Sequence, residues 1–67
     1  MTNPQHVLSA REIEVLALAA EGLTNSQIGT RLHVTVHAVK FHLAAIYRKL
    51  GVTNRTEAAV LFLRMAT

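Results

Sequence analysis

Cationic side chains are concentrated in the middle of the chain, where no acidic residue accompanies them. The segment 35–55 has four cations and no aspartate or glutamate. These cations are Lys40, Arg48, Lys49 and Arg55. By contrast, residues 1–30 contain three glutamates and a single base. Solvated helix faces more often mix both signs, whereas a block of one sign is typical of a surface that binds a polyanion such as a nucleic acid.

The other reactive side chains do not combine into a catalytic or metal-binding site. A predicted helix start separates His33 from His37, and His42 falls on a different face of that helix. No carboxylate or thiolate joins these imidazoles to complete a zinc site. Glu14 and Glu21 are seven residues apart, about 10 Å along a helix, which is too far for a coupled acid–base pair. No nucleophile motif or phosphate-binding glycine loop is present.

We therefore expect no enzyme activity, no catalytic residue, no metal, no cofactor and no small-molecule site. The 67 residues predict one domain, 1–67. Because the chain has no cysteine, its stability must come from helix packing, to which a partner subunit could add. No apolar run approaches the roughly 20 residues that cross a bilayer, and the first residues lack the pattern of a secretion signal. We expect no membrane association and a cytoplasmic location.

Local signals predict an all-α chain of four helices, at about 9–21, 25–32, 35–50 and 54–65. Ser9 and Glu12 have the spacing of a capping box. Thr24 or Asn25, Thr35, and Thr53 or Asn54 are the predicted caps of the later helices. Gly22 and Gly51 are the predicted stops. A short helix, a tight turn and a longer helix form a helix-turn-helix unit.

A glycine inside the second predicted helix suggests close packing. Gly29 costs that helix about 1 kcal/mol relative to alanine, so we expect a neighbouring helix to lie where its side chain would be. His33 lies in the turn that follows, and histidine tolerates a positive φ better than most residues do.

The third predicted helix has two contrasting sides. At about 100° per residue, its aliphatic residues form a stripe that should face the core: Val36, Val39, Leu43, Ile46 and Leu50. The other side presents His37, Lys40, Phe41, Ala44 and Arg48. Such a helix suits the major groove of DNA, because Ala44 allows a close approach while Lys40 and Arg48 reach base edges or phosphates. Phe41 either fills a gap under the first helix or lies exposed and touches thymine methyl groups or sugars.

The chain resembles the LuxR/FixJ-type DNA-binding domain of bacterial transcription regulators, from residue 8 to about residue 63. The resemblance lies in four stretches with matching order and spacing: LSAREIEVL at 8–16, GLTNSQI at 22–28, VKFH at 39–42 and IYRKLGVTNR at 46–55. It implies a helix-turn-helix fold with a three-helix core and a C-terminal dimerisation helix. It also implies that the third helix enters the major groove of double-stranded DNA.

The resemblance carries roles to individual positions. Lys40, Phe41 and Ala44 occupy base-facing positions. Three further residues are candidates for phosphate contact, together with the turn formed by Thr24 and Asn25: Thr35, His37 and Lys49. Two positions depart from the family pattern, because the family usually has a hydroxyl residue at Ala38 and often asparagine at Ala45. Each departure removes a polar group that could contact DNA.

The fourth predicted helix is apolar nearly all the way round. If Ala58, Phe62 and Met65 dock on the domain, then Val60, Leu61 and Leu63 remain exposed and favour a homodimer on an inverted repeat. Two other functions stay open. One is a promoter-recognition domain of the sigma-factor type, with RNA polymerase as a partner. The other is a helical protein-interaction adaptor that uses the fourth helix.

Overall fold

The protein is all-helical over residues 7–66, the part of the chain that the computed structural model describes. The four helices are α1 (Ala10–Ala20), α2 (Asn25–Leu32), α3 (Val36–Leu50) and α4 (Arg55–Ala66). No strand occurs within these residues. Each helix begins and ends within one residue of its predicted bounds. The predicted all-α class with four helices is confirmed.

Side chains just outside each helix explain where the helices begin. Ser9 and Glu12 form the predicted capping box, in which the Ser9 hydroxyl accepts from the Glu12 amide and the Glu12 carboxylate accepts from the Ser9 amide. At α3, the Thr35 hydroxyl accepts from the amide of Ala38 at 3.0 Å. At α4, the Asn54 side chain accepts from the amide of Glu57 at 2.9 Å. These bonds satisfy amides that have no acceptor inside their helix.

The core lies between α1 and the other helices. Its aliphatic residues come from all four helices and from the residues before α1, and they are Leu8, Val15, Leu16, Ala19, Ile28, Val39, Leu43, Ile46 and Ala58. Helix α1 packs against both α3 and α4, while α2 packs mainly against α3. Phe62 of α4 is partly buried against this core. No helix within residues 7–66 has the length and apolar character needed to cross a bilayer.

In the connection between α2 and α3, the neighbour of Gly29 differs from the one that the sequence predicts. A Cβ atom there would lie 2.7 Å from the carbonyl oxygen of Val34 and 3.6 Å from the backbone nitrogen of Val36, so the nearest neighbour is the backbone of the turn, followed by the start of α3. The Val34 amide donates to the Gly29 carbonyl at 2.9 Å, which holds the turn against α2. His33 adopts the left-handed conformation, with φ of 60°. The turn therefore depends on the absence of a side chain at Gly29, which lets the turn pack against α2, and on the positive φ that His33 adopts.

Val36 was placed in the core stripe of α3 by its periodicity, and the structure shows that this was wrong. Its side chain is 40% exposed. At 100° per residue Val36 lies about 60° from Val39, at the edge of the stripe, and it is the first residue of the helix. Val39, Leu43 and Ile46 are buried as predicted.

Candidate nucleic-acid interface

Helix α3 presents one uncovered face that contains the predicted base-reading residues. His37, Lys40, Phe41, Ala44 and Arg48 are all exposed. Within residues 7–66, no acceptor lies within bonding distance of the Lys40 ammonium or the Arg48 guanidinium. Both cations are therefore available to an external anion, and the fold does not cover the face that carries them.

Phe41 lies exposed, which decides between its two predicted placements. Its side chain is 65% exposed, and it does not fill a gap under α1. The ring of His42 stands edge-on to it, with centroids 6.1 Å apart and an interplanar angle of 78°. Aromatic pairs favour this arrangement. Phe41 and His42 therefore lie side by side on α3.

The start of α3 offers both a hydroxyl and free amides. Thr35 is exposed, and its oxygen caps the helix by accepting from Ala38. The first amides of a helix have no acceptor inside it, and they lie at the positive end of the helix dipole. His37, the second residue of α3, is exposed within this first turn. The arrangement can bind an anion such as a backbone phosphate.

The turn before α2 is held by two sets of side-chain bonds. Thr24 and Gln27 form a capping box, in which the Thr24 hydroxyl accepts from the Gln27 amide and Gln27 Oε1 accepts from the Thr24 amide. Asn25 Oδ1 accepts from Arg55 at 2.8 Å. The same guanidinium donates to the carbonyl oxygen of Leu23. Arg55, at the start of α4, thus joins that helix to the turn.

Lys49 has a partner inside the subunit. Its ammonium nitrogen lies 2.8 Å and 3.1 Å from the two carboxylate oxygens of Glu12, joining the end of α3 to the start of α1. At 100° per residue Lys49 lies about 100° from Arg48, off the exposed face. Glu12 is only 6% exposed.

The bonds around Glu12 favour its ionised form. Burial raises the pKa of this carboxyl, but hydrogen bonds from Lys49 and Ser9, together with the charge of Lys49, lower it by more. The net result is a Glu12 pKa below its usual value. Glu12 is thus both the reciprocal member of the α1 cap and a charged anchor for α3.

Three of these contacts are not predicted from the sequence. The capping-box spacing identified Glu12 as part of a cap but gave no sign that it also binds Lys49, 37 residues away. Arg55 was counted only as a cation, and its bond to Asn25 spans 30 residues. The spacing of Thr24 and Gln27 is the signal that could have identified the α2 capping box.

Helix α4 buries one side and exposes the other. Ala58 is buried and Phe62 is partly buried, as predicted from the sequence. Val60 and Leu63 are 47% and 52% exposed, and Leu61 is partly exposed. A shallow groove lies beside this face, lined by Val52, Val60 and Leu61 together with polar residues.

The sequence matches the family described as bacterial regulatory proteins, luxR family, over residues 6–62. It is 49% identical over 57 residues to the transcriptional regulatory protein LiaR of Bacillus subtilis, a region covering 85% of this chain and 27% of LiaR. It is 42% identical over 62 residues to the nitrate/nitrite response regulator protein NarP of Escherichia coli, covering 92% of this chain and 29% of NarP. The chain thus spans less than a third of the length of either relative.

These matches bear on two predictions from the sequence. Because the family and the relatives are regulatory proteins, the prediction that the chain is not an enzyme is confirmed. The resemblance to LuxR-type regulators is confirmed as well. The chain belongs to the luxR family of bacterial regulatory proteins and has the helix-turn-helix domain with which that family binds DNA to regulate transcription.

Proposed function

We propose that this chain is a sequence-specific double-stranded DNA-binding domain of a transcription regulator, with α3 in the major groove. The observation that carries the proposal is the exposed, acid-free face of α3. Its two cations, Lys40 and Arg48, have no partner within the described residues. The groove is about 12 Å wide and admits one helix.

Each residue of that face has a role suited to its size and charge. Ala44 has a short side chain, so the helix backbone approaches the base pairs closely there. Lys40 contacts a base edge, since lysine donates to the acceptors that guanine displays in the major groove. Arg48, one turn beyond Ala44, contacts a base edge or a phosphate. Phe41 supplies apolar contact beside them.

The helix starts supply the contacts that position the domain. At α3, Thr35, His37 and the free amides bind backbone phosphate, as helix N-termini commonly do. At α2, the turn of Thr24 and Asn25 binds a second phosphate, with Arg55 holding the turn in place. We assign Lys49 to holding α3 against α1, because its ammonium is paired with Glu12.

The domain acts as a homodimer that pairs through α4. Val60 and Leu63 are exposed on one side of this helix, with Leu61 beside them, and a symmetric partner would remove this apolar surface from water. Two copies related by a two-fold axis bind an inverted repeat, with their third helices about one turn of DNA apart.

Selection of bound sites from random duplex DNA tests the proposal directly. We expect one enriched motif with inverted symmetry, bound without RNA polymerase. Affinity for the selected site should fall steeply as salt rises, because phosphate neutralisation releases counterions. A requirement for polymerase would favour the sigma-type alternative, and the absence of salt-dependent DNA affinity would favour the adaptor.

Lys40→Ala tests the role of the α3 face. If Lys40 contacts a base edge, the variant should lose about 1–3 kcal/mol of binding to the selected site and lose discrimination at one base position. Arg11→Ala is the matched control, because Arg11 is an exposed cation on α1. An equal loss on all sequences would instead make Lys40 a phosphate contact.

Leu63→Glu tests dimerisation through α4. Because Leu63 is exposed, the variant should fold, yet it should sediment as a monomer at concentrations where the unmodified protein is a dimer. Thr30→Glu adds the same charge at an exposed position of α2 and serves as the control. A dimer that persists in Leu63→Glu would exclude this face as the interface.

A further inference from the structure

The exposed face of α3 is more apolar than a base-reading surface needs to be. Two of its five residues, Phe41 and Ala44, have side chains without a hydrogen-bonding group, and the exposed Val36 lies at its edge. Phe41 is also the most exposed of the large apolar side chains within residues 7–66. A chain this short has little apolar surface to spare, so leaving Phe41 in water needs a compensating use.

The ring is placed beside the groove-facing cations. On the helical wheel, Phe41 lies about 60° from Ala44 and close to Arg48, and Lys40 lies on the other side of Ala44. The ring of His42 lies edge-on to the Phe41 ring. Phe41 therefore enters whatever groove Lys40 and Arg48 enter.

The largest apolar group that the major groove displays is the 5-methyl group of thymine. The hydrogen-bond donors and acceptors of the base edges cannot be satisfied by the side chains of Val36, Phe41 and Ala44. An apolar side chain placed against such groups would leave them without water or a partner, at a cost. The chemistry of this face thus selects for thymine at the positions that meet it.

We infer that Phe41 is a specificity-determining residue, which reads one or more thymine methyl groups in each half-site, beside the base contacted by Lys40. The inference rests on the proposed function, because it assumes that α3 enters the major groove. It adds the identity of a base and the chemical group that is read. Ala44 extends the apolar surface between Phe41 and Lys40, and Val36 lies on the far side of Lys40.

Deoxyuridine substitution tests the inference at the level of one methyl group. In the selected duplex, each thymine of a half-site is replaced in turn by deoxyuridine, which keeps the base pair and removes only the methyl group. For at least one thymine we expect the Kd to rise about threefold to fourfold per half-site. Substitution in both half-sites should raise it about tenfold. Deoxyuridine outside the half-sites is the control and should have no effect.

A double-mutant cycle, which combines Phe41 variants with thymine and deoxyuridine duplexes, tests whether Phe41 is the residue that contacts the methyl group. Phe41→Ala should bind the thymine and deoxyuridine duplexes with nearly equal Kd, whereas Phe41→Leu, which retains an apolar side chain, should keep most of the difference. Because Phe41 is exposed, both variants should keep the helical circular dichroism and thermal midpoint of the unmodified protein.

Each remaining outcome overturns the inference in a distinguishable way. If specific binding occurs but no deoxyuridine substitution weakens it, Phe41 does not read thymine, while the proposed function stands. If Phe41→Ala weakens binding equally on both duplexes, the ring contacts sugar or backbone. If Phe41→Ala binds DNA normally, the ring serves another partner, such as a protein. If the protein binds no DNA, both proposals fail.

Discussion

Replacing Lys49 with methionine should destabilise the domain without removing a DNA contact. Methionine keeps most of the length of the lysine stem but removes the ammonium that bonds to both Glu12 oxygens at 2.8 Å and 3.1 Å. The Glu12 carboxylate would then be a nearly buried charge with only the Ser9 bonds. Lys40→Met is the matched control, since it makes the same change at an exposed position of the same helix.

The size of the stability loss follows from how deeply Lys49 and Glu12 are each buried. Removing one partner of a fully buried pair costs about 3–5 kcal/mol, and a hydrogen bond to a charged group contributes about 1.5–3 kcal/mol. Because 38% of the Lys49 side chain remains exposed, water screens part of the attraction. We expect a loss of about 2 kcal/mol, which for a domain of this size lowers the melting temperature by about 10 °C. Lys40→Met should change stability by less than about 0.5 kcal/mol.

The effect of Lys49→Met should depend on pH with a defined sign. The folded-state pKa of Glu12 is lowered, so its contribution to stability is present above the unfolded-state pKa and is lost as pH falls through the folded-state value. In Lys49→Met the lowering from the lysine is gone and the burial remains, so the Glu12 pKa should rise. The difference between the two proteins should be largest near neutral pH. It should shrink as pH falls from the raised Glu12 pKa of Lys49→Met to the lowered Glu12 pKa of the unmodified protein.

Thermal melts and urea titrations across pH measure the stability difference. DNA titrations test whether Lys49→Met keeps all of the DNA contacts of the unmodified protein. At a temperature where both proteins are folded, the dependence of log Kd on log salt should be the same for Lys49→Met and the unmodified protein. A slope smaller by about one unit would show that Lys49 neutralises a phosphate. Full stability of Lys49→Met at neutral pH would refute the reasoning about Glu12.

Two further predictions concern contacts that hold the helix-turn-helix unit together. Gly29→Ala places a Cβ 2.7 Å from the Val34 oxygen. Although alanine has the better helix propensity, the variant should lose about 1–2 kcal/mol of unfolding free energy in urea titrations. Thr30→Ala, at an exposed position, is its control, and a stabilised Gly29→Ala would show that the turn moves freely. Arg55→Ala should lose about 1–2 kcal/mol, and a double-mutant cycle with Asn25→Ala should show coupling, whereas additive losses would mean that the bond between them contributes little.

The local structure was readable from the sequence because its causes are local. A capping box needs two side chains three residues apart, as at Ser9 and Glu12, and a helix stop needs a residue such as Gly51 that accepts a positive φ. The two sides of α3 follow in the same way from 3.6 residues per turn. Family membership was also visible, because it depends on the order and spacing of motifs.

Tertiary structure alone decided which partner each of these residues has. The pairs of Lys49 with Glu12 and of Arg55 with Asn25 join residues 37 and 30 positions apart, and helical periodicity carries no information about contacts at that range. The sequence predicts that another part of the chain packs closely against Gly29, but only the path of the turn shows that this neighbour is the Val34 carbonyl. The exposure of Val36 and Phe41 likewise depends on whether another helix packs over them, which is why Val36 is wrongly predicted to be buried and the placement of Phe41 stays open.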